Sequence, residues 1–331
     1  MMIEKPDSST EDFLYGLVVS RKSGDRCPGV FFAARASGLF SSIDGINWRM
    51  ATESIGMDTV YSATAVALSP DFENDGNTFL GLAGGLLYSE NAGNNWSKAI
   101  LPNPPPVISC LAVSPDYEHD GILLAGTLED GVLRSADRGS RFVAWNFGLL
   151  DLSIMSLAIS EHFSTDETVF AGAESGLFRS TNGGRAWREV ETPFGYDPVM
   201  SLVLSRDFGR EDQHSGILFI GTETRGLYRS DDRGKNWTTL GEELFTESVQ
   251  SIVLSPAFPE DPGVVVVCGG NVFYSPDGGQ SWRMVWDETT RNAPVTALLA
   301  PQGFQPGVPI WLGLANGEVL KLPELCLEGK V

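Results

Sequence analysis

The sequence predicts an all-β fold, a seven-bladed β-propeller of four-stranded antiparallel blades. Three observations lead to this prediction. A glycine-led motif recurs about every 45 residues from one end of the chain to the other. Short apolar segments flank each copy and are separated by Gly, Pro, Asn or Asp, which is the pattern of short strands and tight turns. The 331 residues also include 37 glycines, as expected of a protein rich in turns.

The copies of the motif define the repeat. They begin at Gly38, Gly85, Gly131, Gly176, Gly226 and Asn271, and a degenerate seventh copy begins at Gly317. Before each copy comes a small, apolar first strand that often ends in Ser-Pro, followed by a turn with an aromatic residue. The second strand is apolar and ends near a glycine, such as Gly126 or Gly172. The motif supplies the third strand and a hairpin turn, and a tryptophan begins the fourth strand.

The repeat divides one domain, residues 1–331, into seven units. The expected blades cover residues 13–52, 60–100, 107–146, 153–191, 198–240, 248–287 and 294–328. The motif of the seventh unit is lost at Pro323, so this blade lacks a fourth strand of its own. We expect a terminal segment, either residues 2–5 or residues 325–327, to supply it, because pairing there joins the chain ends and covers exposed sheet edges.

The residue types of the hairpin motif follow from the physics of a tight turn. The serine can bond backbone groups at the strand end, and the Asp or Asn two residues later can accept hydrogen bonds from turn amides. A following glycine adopts positive φ without strain, and the tryptophan packs into the sheet. The residues given these structural roles are Ser42, Asp44, Trp48, Ser89, Trp96, Ser135, Asp137, Ser180, Asn182, Trp187, Ser230, Asp232, Trp237, Ser275, Asp277 and Trp282.

This motif resembles the Asp-box, Ser-x-Asp-x-Gly-x-x-Trp, of the bacterial neuraminidase (BNR) repeat. The segments Ser230-Asp-Asp-Arg-Gly-Lys-Asn-Trp237 and Ser275-Pro-Asp-Gly-Gly-Gln-Ser-Trp282 match it fully, and the copy that begins at Ser42 is one residue shorter. Two copies carry Asn91 and Asn182 in place of the acid, and one ends in Phe142. The resemblance implies a sialidase-like propeller. That family includes sialidases, xyloglucanases, sortilin-type receptors and photosystem II assembly factors, and its Asp-boxes are structural.

The net charge of −20 limits the classes of partner. An acidic surface repels phosphate backbones and anionic membranes, so we expect no nucleic-acid binding. No apolar run reaches the length of a membrane helix, so we expect no membrane insertion. The N-terminus lacks the features of a secretory signal, which favours a cytoplasmic location, or a secreted or periplasmic one if a leader was removed.

Cysteine, histidine and acid spacing predicts no metal and no cofactor. One acid per hairpin is too few for calcium, and the four cysteines show no metal-binding spacing. His119, His162 and His214 fall at non-equivalent places in first turns. Cys110 and Cys268 are expected to be small buried thiols. Ring closure would bring Cys27 and Cys326 near each other, either as a disulfide or as two free thiols.

In an antiparallel blade, alternate turns lie at opposite ends. The hairpins therefore share one end of the ring, the hairpin face, with the turns between first and second strands. The other end, the link face, carries the turns between second and third strands and the links between blades. Several of these links contain an acidic residue beside an aromatic one. Such pairs could bind a basic, partly apolar peptide, could stack on sugars, or could simply pack the links against the blades. The candidate partner-binding residues are Asp58, Tyr61, Phe147, Asp151, Phe194, Tyr196, Asp197, Phe245, Glu247 and Trp286.

No catalytic set is evident. The resemblance implies that a sialidase would carry three arginines, a Tyr–Glu pair and an Arg-Ile-Pro motif, and the motif is missing. Arg134, Arg179 and Arg229 occupy one position in successive blades and are expected to form salt bridges between blades. A carboxylate pair for glycoside hydrolysis could come from the link acids, but no feature selects one. The sequence thus predicts a non-catalytic interaction or scaffold propeller that binds a protein, with a glycan-binding or glycoside-hydrolase-like propeller as the alternative.

Overall fold

The computed structural model describes residues 12–20, 29–52, 61–210, 216–291 and 294–323. These residues form seven antiparallel sheets, six of four strands and one of three, in which neighbouring strands are consecutive in the chain. The predicted fold class is therefore confirmed. The chain is a seven-bladed β-propeller, and its helices are single turns.

The elements of the first four blades are β1 Leu14–Val19, β2 Phe31–Arg35, β3 Gly38–Ser42, β4 Arg49–Met50; β5 Ala63–Leu68, α1 Phe72–Asp75, β6 Thr78–Leu82, β7 Gly85–Ser89, β8 Ser97–Lys98; β9 Ile108–Val113, α2 Tyr117–Asp120, β10 Leu123–Thr127, β11 Val132–Ser135, β12 Val143–Ala144; β13 Ile154–Ile159, α3 Phe163–Asp166, β14 Val169–Ala173, β15 Gly176–Ser180 and β16 Arg188–Val190. The last three blades contain β17 Val199–Leu204, β18 Leu218–Thr222, β19 Leu227–Ser230, β20 Thr238–Leu240; β21 Val249–Leu254, β22 Val264–Cys268, β23 Asn271–Ser275, β24 Arg283–Trp286; and β25 Val295–Leu299, β26 Ile310–Leu314, β27 Val319–Leu322, with α4 Glu288–Arg291 before β25.

The first strand of each blade lies at the centre of the ring. Each inner strand contacts the inner strand of the next blade, and β25 of blade seven contacts β1 of blade one. At that last junction Thr296 Oγ1 donates a hydrogen bond to the Leu14 carbonyl at 2.8 Å. Ser156 makes the same kind of bond to the Val199 carbonyl of the next blade at 2.9 Å. The inner strands therefore form a closed ring.

The turn between first and second strands is a helical turn in blades two to four. Phe72, Tyr117 and Phe163 open α1, α2 and α3, and all three rings are buried. The sequence predicts turns here rather than helices. A helix of four residues is too short to show a helical period, so pattern alone cannot distinguish it from a turn.

One set of hydrogen bonds holds the hairpins. In blade six Ser275 Oγ accepts the Gly279 N–H at 2.7 Å and donates to Asp277 Oδ1 at 2.8 Å. Asp277 Oδ1 also accepts the N–H groups of Gln280 and Ser281, at 3.0 and 2.9 Å. The carboxylate is therefore occupied within its own turn.

In blades two to six the hairpin is also bonded to the first turn of its own blade. The bonds run from a hairpin N–H to a carbonyl at the end of the first turn: Ala92 to Gly76, Arg138 to Gly121, Gly183 to Glu167, Arg233 to Gly216 and Gly278 to Pro262. Hairpins and first turns thus lie on the same face of the ring, and the links lie on the other.

The turn hydrogen bonds lower the pKa of the hairpin carboxylates. For Asp44 the main cause is hydrogen bonding from the backbone N–H groups of Asn47 and Ile46. For Asp137, Asp232 and Asp277, slight burial raises the pKa, but hydrogen bonds from neighbouring serines and turn amides outweigh it. A folded-state pKa below the unfolded value of about 3.9 contributes stability at neutral pH. That contribution is lost as the pH falls through the folded-state pKa.

Replacing Asp44, Asp137, Asp232 and Asp277 together by asparagine is expected to make the melting temperature less dependent on pH below about pH 4. The hairpins should still form, because Asn91 and Asn182 accept equivalent bonds from Asn95 N and Ala186 N, both at 2.8 Å. Thermal melts between pH 7 and the acid limit of folding measure the effect. The control neutralises four exposed glutamates, Glu118, Glu129, Glu161 and Glu260, to glutamine. Equal acid slopes in the native protein and the asparagine variant would contradict the prediction.

Arginines of the third strands join each blade to the next by hydrogen bonds. Arg134 Nε, Arg179 Nη1 and Arg229 Nη1 reach carbonyls in the next hairpin: Gly183 at 3.1 Å, Arg233 at 3.4 Å and Gly278 at 2.6 Å. The expectation of salt bridges between blades is wrong for these residues. The hairpin carboxylates are already used by their own turns, so the turn carbonyls are the acceptors that face the guanidinium groups.

Hairpin tryptophans bond in the opposite direction, to the preceding blade. The indole Nε1–H donates to the first carbonyl after the preceding fourth strand: Trp96 to Ala51 at 3.0 Å, Trp187 to Trp145 at 2.8 Å and Trp237 to Glu191 at 3.2 Å. Phe142 lacks this donor and keeps the backbone bond, since its N–H donates to the Ile100 carbonyl at 2.9 Å as the Trp187 N–H donates to the Phe147 carbonyl at 2.8 Å. Trp282 Nε1 donates within its own hairpin, to the Gly279 carbonyl.

The glycines of the second strands lie where the next blade comes close. A Cβ added at Gly81, Gly126, Gly172, Gly221 or Gly313 would come within 2.4–2.8 Å of an atom of the first inner-strand residue of the next blade. Those residues are Ile108, Ile154, Val199, Val249 and Leu14, and each has no exposed surface. Glycine at these five positions therefore leaves room for the next blade, whereas blades one and six hold Ala34 and Val267 at the equivalent position.

Blade seven and the chain ends are described in part. Sheet seven shows β25, β26 and β27, and both candidate fourth strands, residues 2–5 and 325–327, lie outside the described residues. Trp48 belongs to the blade after this sheet, and its buried Nε1 has no hydrogen-bond partner among the described residues. Cys268 is buried and Cys110 is partly exposed, both as free thiols, while Cys27 and Cys326 also lie outside the described residues.

Candidate functional site

The link face carries a concentration of exposed carboxylates. They lie on turns between second and third strands and on links between blades: Glu129, Asp130, Glu174, Glu191, Glu223, Glu242, Glu243, Glu247 and Glu318. Arg225 is exposed beside them, whereas Arg35 is mostly buried and lies near Asp12, at 3.9 Å. The electrostatic character of this face is acidic.

The hairpin face has mixed charge. Its acids are accompanied by cations on the hairpins and first turns, namely Arg138, Arg141, Arg185, Arg206, Arg210, Arg233 and Lys235. Several of these bond within the face, as Arg185 does with Glu167 at 3.0 Å. The two ends of the ring therefore differ in exposed charge: among the described residues, exposed cations accompany the exposed acids of the hairpin face, whereas few accompany those of the link face, which suits the link face to a cationic ligand.

Exposed apolar side chains also occur on the link face. Among the large ones are Tyr61, Val107, Leu128, Leu150, Leu152, Tyr196 and Leu244. Ile100 and Phe147 are also exposed, but they lie at the outside of the ring, where their backbones bond the next hairpin segment. Part of this set is held together by the backbone at blade three, where Leu128 N donates to the Val107 carbonyl at 3.2 Å and Gly131 N donates to the Leu152 carbonyl at 2.9 Å. Apolar surface beside carboxylates is the chemistry expected of a surface that receives a basic, partly apolar segment.

The candidate residues from the sequence separate into exposed and buried groups. Tyr61, Phe147, Tyr196 and Glu247 are exposed, with Phe147 and Tyr196 at 82% and 85%. Phe147 lies towards the outside of the ring, where its carbonyl accepts the Trp187 N–H at 2.8 Å. Asp58 lies outside the described residues. Exposure thus leaves Tyr61, Tyr196 and Glu247 as the candidates best placed to meet a ligand on the link face, with Phe147 at its edge.

Three aromatic candidates are buried. Phe194 packs against Tyr228 with ring centroids 4.9 Å apart, and Phe245 packs against Trp282 at 5.0 Å. Trp286 is 4% exposed and belongs to the core between blades six and seven. These side chains hold their links against the blades. In this conformation they have little surface to offer a partner.

Two acidic candidates cap turns of the link face. Asp197 accepts the N–H groups of Thr224 and Arg225 at 3.0 and 3.1 Å and the Thr224 hydroxyl at 2.7 Å. Burial raises the pKa of Asp197, but these hydrogen bonds outweigh it and the net pKa is lowered. Asp151 accepts the Ser153 and Ser175 N–H groups at 2.9 and 2.7 Å. A general acid at neutral pH needs a raised pKa, so the environment of Asp197 favours a structural role.

A β-bulge occurs at the link-face end of all seven inner strands. The pairing of first and second strands skips one residue at the same place in each blade. The skipped residues are Tyr15, Thr64, Ser109, Met155, Met200, Gln250 and Thr296, which we call the collar. Sequence reasoning missed the collar because one extra residue in an apolar run does not interrupt its pattern. Bulges often re-aim side chains at barrel rims and beside functional sites.

The described residues hold no group of three or more His, Cys, Asp or Glu arranged to bind a metal ion. His119 is exposed, and its Nδ1 contacts Asp116 Oδ1 at 2.6 Å, which raises its pKa. His162 lies in the first turn of blade four, and His214 lies outside the described residues. Within the part of the chain that the structure describes, no helix is long and apolar enough to span a bilayer.

No protein-family model and no curated protein matches the chain. Solved structures do share its fold. YCF48 bound to D1 peptide matches with a TM-score of 0.66 and 17% identity, over 95% of this chain and 94% of that one. The GH74 xyloglucanase from Xanthomonas campestris matches with a TM-score of 0.71 and 17% identity, over 97% of this chain and 53% of the enzyme.

A third similar structure is the extracellular domain of a B. thetaiotaomicron protein named as a one component system. It matches with a TM-score of 0.68 and 15% identity, over 95% of this chain and 38% of that domain. The chain thus spans less than two thirds of this domain and of the xyloglucanase. At such identities the likeness defines the class of fold, a seven-bladed propeller, and no activity.

Proposed function

We propose that this propeller is a non-catalytic interaction module that binds a basic, partly apolar segment of another protein through its link face. The observation that carries the proposal is the difference in charge between the two ends of the ring. Carboxylates and exposed apolar side chains share the link face, whereas exposed cations accompany the acids of the hairpin face. Such a surface steers a cationic partner and then buries its apolar side chains.

The similar structures support a protein ligand. The structure of YCF48 was determined with a bound peptide, which shows that a propeller of this type can present a peptide-binding surface. The hydrogen bonds of the hairpins further support our inference that the repeat belongs to the BNR/Asp-box family. The cytoplasmic location expected from the sequence stays a prediction.

The alternative is a glycan-binding or glycoside-hydrolase-like propeller. Tyr196, 85% exposed on the link between blades four and five, favours it because a flat aromatic ring can stack on a sugar. The likeness to a xyloglucanase points the same way. The charge of the link face favours the protein partner, since neutral glycans gain little from carboxylates that have no cation to pair with.

Reversing charge on the link face is expected to weaken partner binding about tenfold or more. The test variant carries Glu129→Lys, Asp130→Lys and Glu174→Lys. The matched control carries Glu118→Lys, Glu161→Lys and Glu260→Lys, three exposed glutamates of the hairpin face. Affinity capture from cells of the source organism, followed by titration of the captured protein, measures both. Equal capture by the two variants would contradict the proposal, and binding on a glycan array without any captured protein would favour the alternative.

A further inference from the structure

We infer that the collar is a specificity site that accepts an apolar side chain of the partner, while the carboxylates around it hold lysine or arginine residues on either side of that side chain. This inference rests on the proposed function, because it names the part of the link face that selects the partner. It describes the partner as an extended basic segment with one central apolar residue.

The first step concerns position. The inner strands surround the centre of the ring, and their link-face ends are where the chain enters each blade. The bulge occurs at this end in every blade, so the seven collar residues surround the mouth of the central channel. Repetition around the ring makes the collar a continuous feature rather than an irregularity of one strand.

The second step concerns chemistry. The collar contains no charged residue, although carboxylates are common on this face. Tyr15 is 47% exposed and contacts Phe13 with ring centroids 5.0 Å apart, while Met155 and Met200 are partly exposed. Methionine is flexible and polarizable, and it adapts to apolar ligands of different shape. The centre of the link face therefore offers apolar contact.

The third step concerns the two hydroxyls of the collar that are already used. Ser109 Oγ donates to the Ile154 carbonyl, and Thr296 Oγ1 donates to the Leu14 carbonyl at 2.8 Å. These bonds join neighbouring inner strands, so the two hydroxyls do not require a polar ligand. Their use within the protein leaves Tyr15, Met155 and Met200 as the apolar part of the collar, beside the Thr64 hydroxyl, which has no partner among the described residues, and the exposed amide of Gln250.

The fourth step connects the collar with its acidic surroundings. Leu152 precedes the inner strand of blade four, and Leu128 lies in the turn beside Glu129. Both leucines are exposed, at 40% and 39%. A chain that crosses the mouth would therefore pass from carboxylates to apolar surface and back to carboxylates such as Glu223. The residues of such a chain on either side of its apolar residue would be lysine or arginine, because their charge is complementary to the carboxylates.

Two labelled peptides test the inference, Lys-Arg-Leu-Arg-Lys and Lys-Arg-Ser-Arg-Lys, with Kd measured by fluorescence anisotropy at low salt. The native protein should bind the leucine peptide about fivefold to tenfold more tightly, since a partly buried leucine side chain favours binding by about one factor of ten. Replacing Met155 and Met200 together by serine should abolish this preference and leave the affinity for the serine peptide unchanged. Replacing both by leucine should keep the preference, which separates a contact from a folding defect.

Met284 provides the matched control, because it is 50% exposed on an outer strand. Met284→Ser should leave both affinities unchanged. Equal affinity of the native protein for the two peptides would contradict the inference that the collar selects an apolar side chain. Failure to bind either peptide would contradict it as well. If binding is equal for both peptides but lost in the link-face lysine variant, the proposed function stands and the collar does not. If capture of a partner also proves independent of the link face, both are wrong.

Discussion

Replacing Gly172 by alanine is expected to lower the free energy of unfolding by about 1–3 kcal/mol. The added Cβ would clash with Ser156 Oγ of its own blade, and it would lie 2.6 Å from Val199 Cγ1 and 2.7 Å from the Val199 carbonyl oxygen of the next blade. The side-chain contacts can relax by repacking. The carbonyl oxygen is backbone, so relieving that contact requires blade five to move away from blade four. Such a shift would also lengthen the bond from Ser156 Oγ to the same carbonyl.

A double-mutant cycle with Val199→Ala measures this coupling. In blade one the position equivalent to Gly172 holds Ala34, and the next inner strand begins with Ala63 in place of a larger residue. The double variant Gly172→Ala, Val199→Ala recreates that pair of small residues, and adding Ser156→Gly recreates Gly16, which pairs with Ala34 in blade one and separates the contact within the blade from the contact between blades. We expect urea denaturation to show a loss smaller than the sum of the two single losses. Additive losses would mean that the glycine is not selected by the neighbouring blade.

Removing the first five residues is expected to lower the melting temperature by roughly 5–10 °C and to promote aggregation through β27. Of the two candidate segments, we propose that residues 2–5 form the fourth strand of blade seven, and the prediction follows from this proposal. Eight residues separate the fourth strand from the next first strand in blades four, five and six. Eight residues, 6–13, likewise separate residue 5 from Leu14.

Two side chains of blade one support the N-terminal segment over the C-terminal one. Asp12 caps the turn of blade one by accepting the Ser37 N–H at 2.8 Å, as Asp197 caps the turn of blade five two residues before its inner strand. Asp12 thus has the same role before Leu14 that Asp197 has before Val199. Trp48 packs in one cluster with Trp311 of the preceding blade, and its buried Nε1 has no partner among the described residues. A carbonyl just after a strand at residues 2–5 would match the acceptors of Trp96, Trp187 and Trp237.

The matched control removes residues 324–331, which should change the melting temperature much less. Hydrogen exchange provides a second readout, because the amides of Val319–Leu322 should lose protection in the N-terminal truncation. A larger loss from the C-terminal truncation would show that the other candidate segment supplies the strand. Trp48→Phe should reproduce a small part of the N-terminal effect.

The sequence predicts the repeat well because each hairpin is a local structure. Ser275, Asp277 and Gly279 lie within a few residues of one another, so turn chemistry alone explains them. Contacts between blades are different, since they join residues about one repeat apart. The spacing of Gly172 is visible in the sequence, but its reason, the approach of Val199, appears when neighbouring blades are in place.

The candidate site was predictable in location and less so in detail. Because successive turns of an antiparallel blade lie at opposite ends, the sequence predicts that all links lie on one face of the ring. The structure has them on that face. Burial could not be read from the links, because an aromatic residue in a loop serves equally as an anchor or as a contact. Phe194 and Trp286 proved to be anchors, whereas Tyr196 is exposed. The sequence predicts a salt bridge for Arg134, but its partner is the Gly183 carbonyl. Every residue has a backbone carbonyl, so residue types do not indicate which one accepts such a bond.

Because exposed cations accompany the exposed acids of the hairpin face and few accompany those of the link face, the exposed side chains make the link end of the ring the more negative one. In the field of a cationic surface, a freely rotating propeller turns its more negative end forward before any contact forms. Orientation in advance raises the fraction of collisions that are productive, and this gain disappears as salt shortens the range of the field. The arrangement of arginines on the hairpin face therefore influences events at the opposite end, although none of them touches the partner.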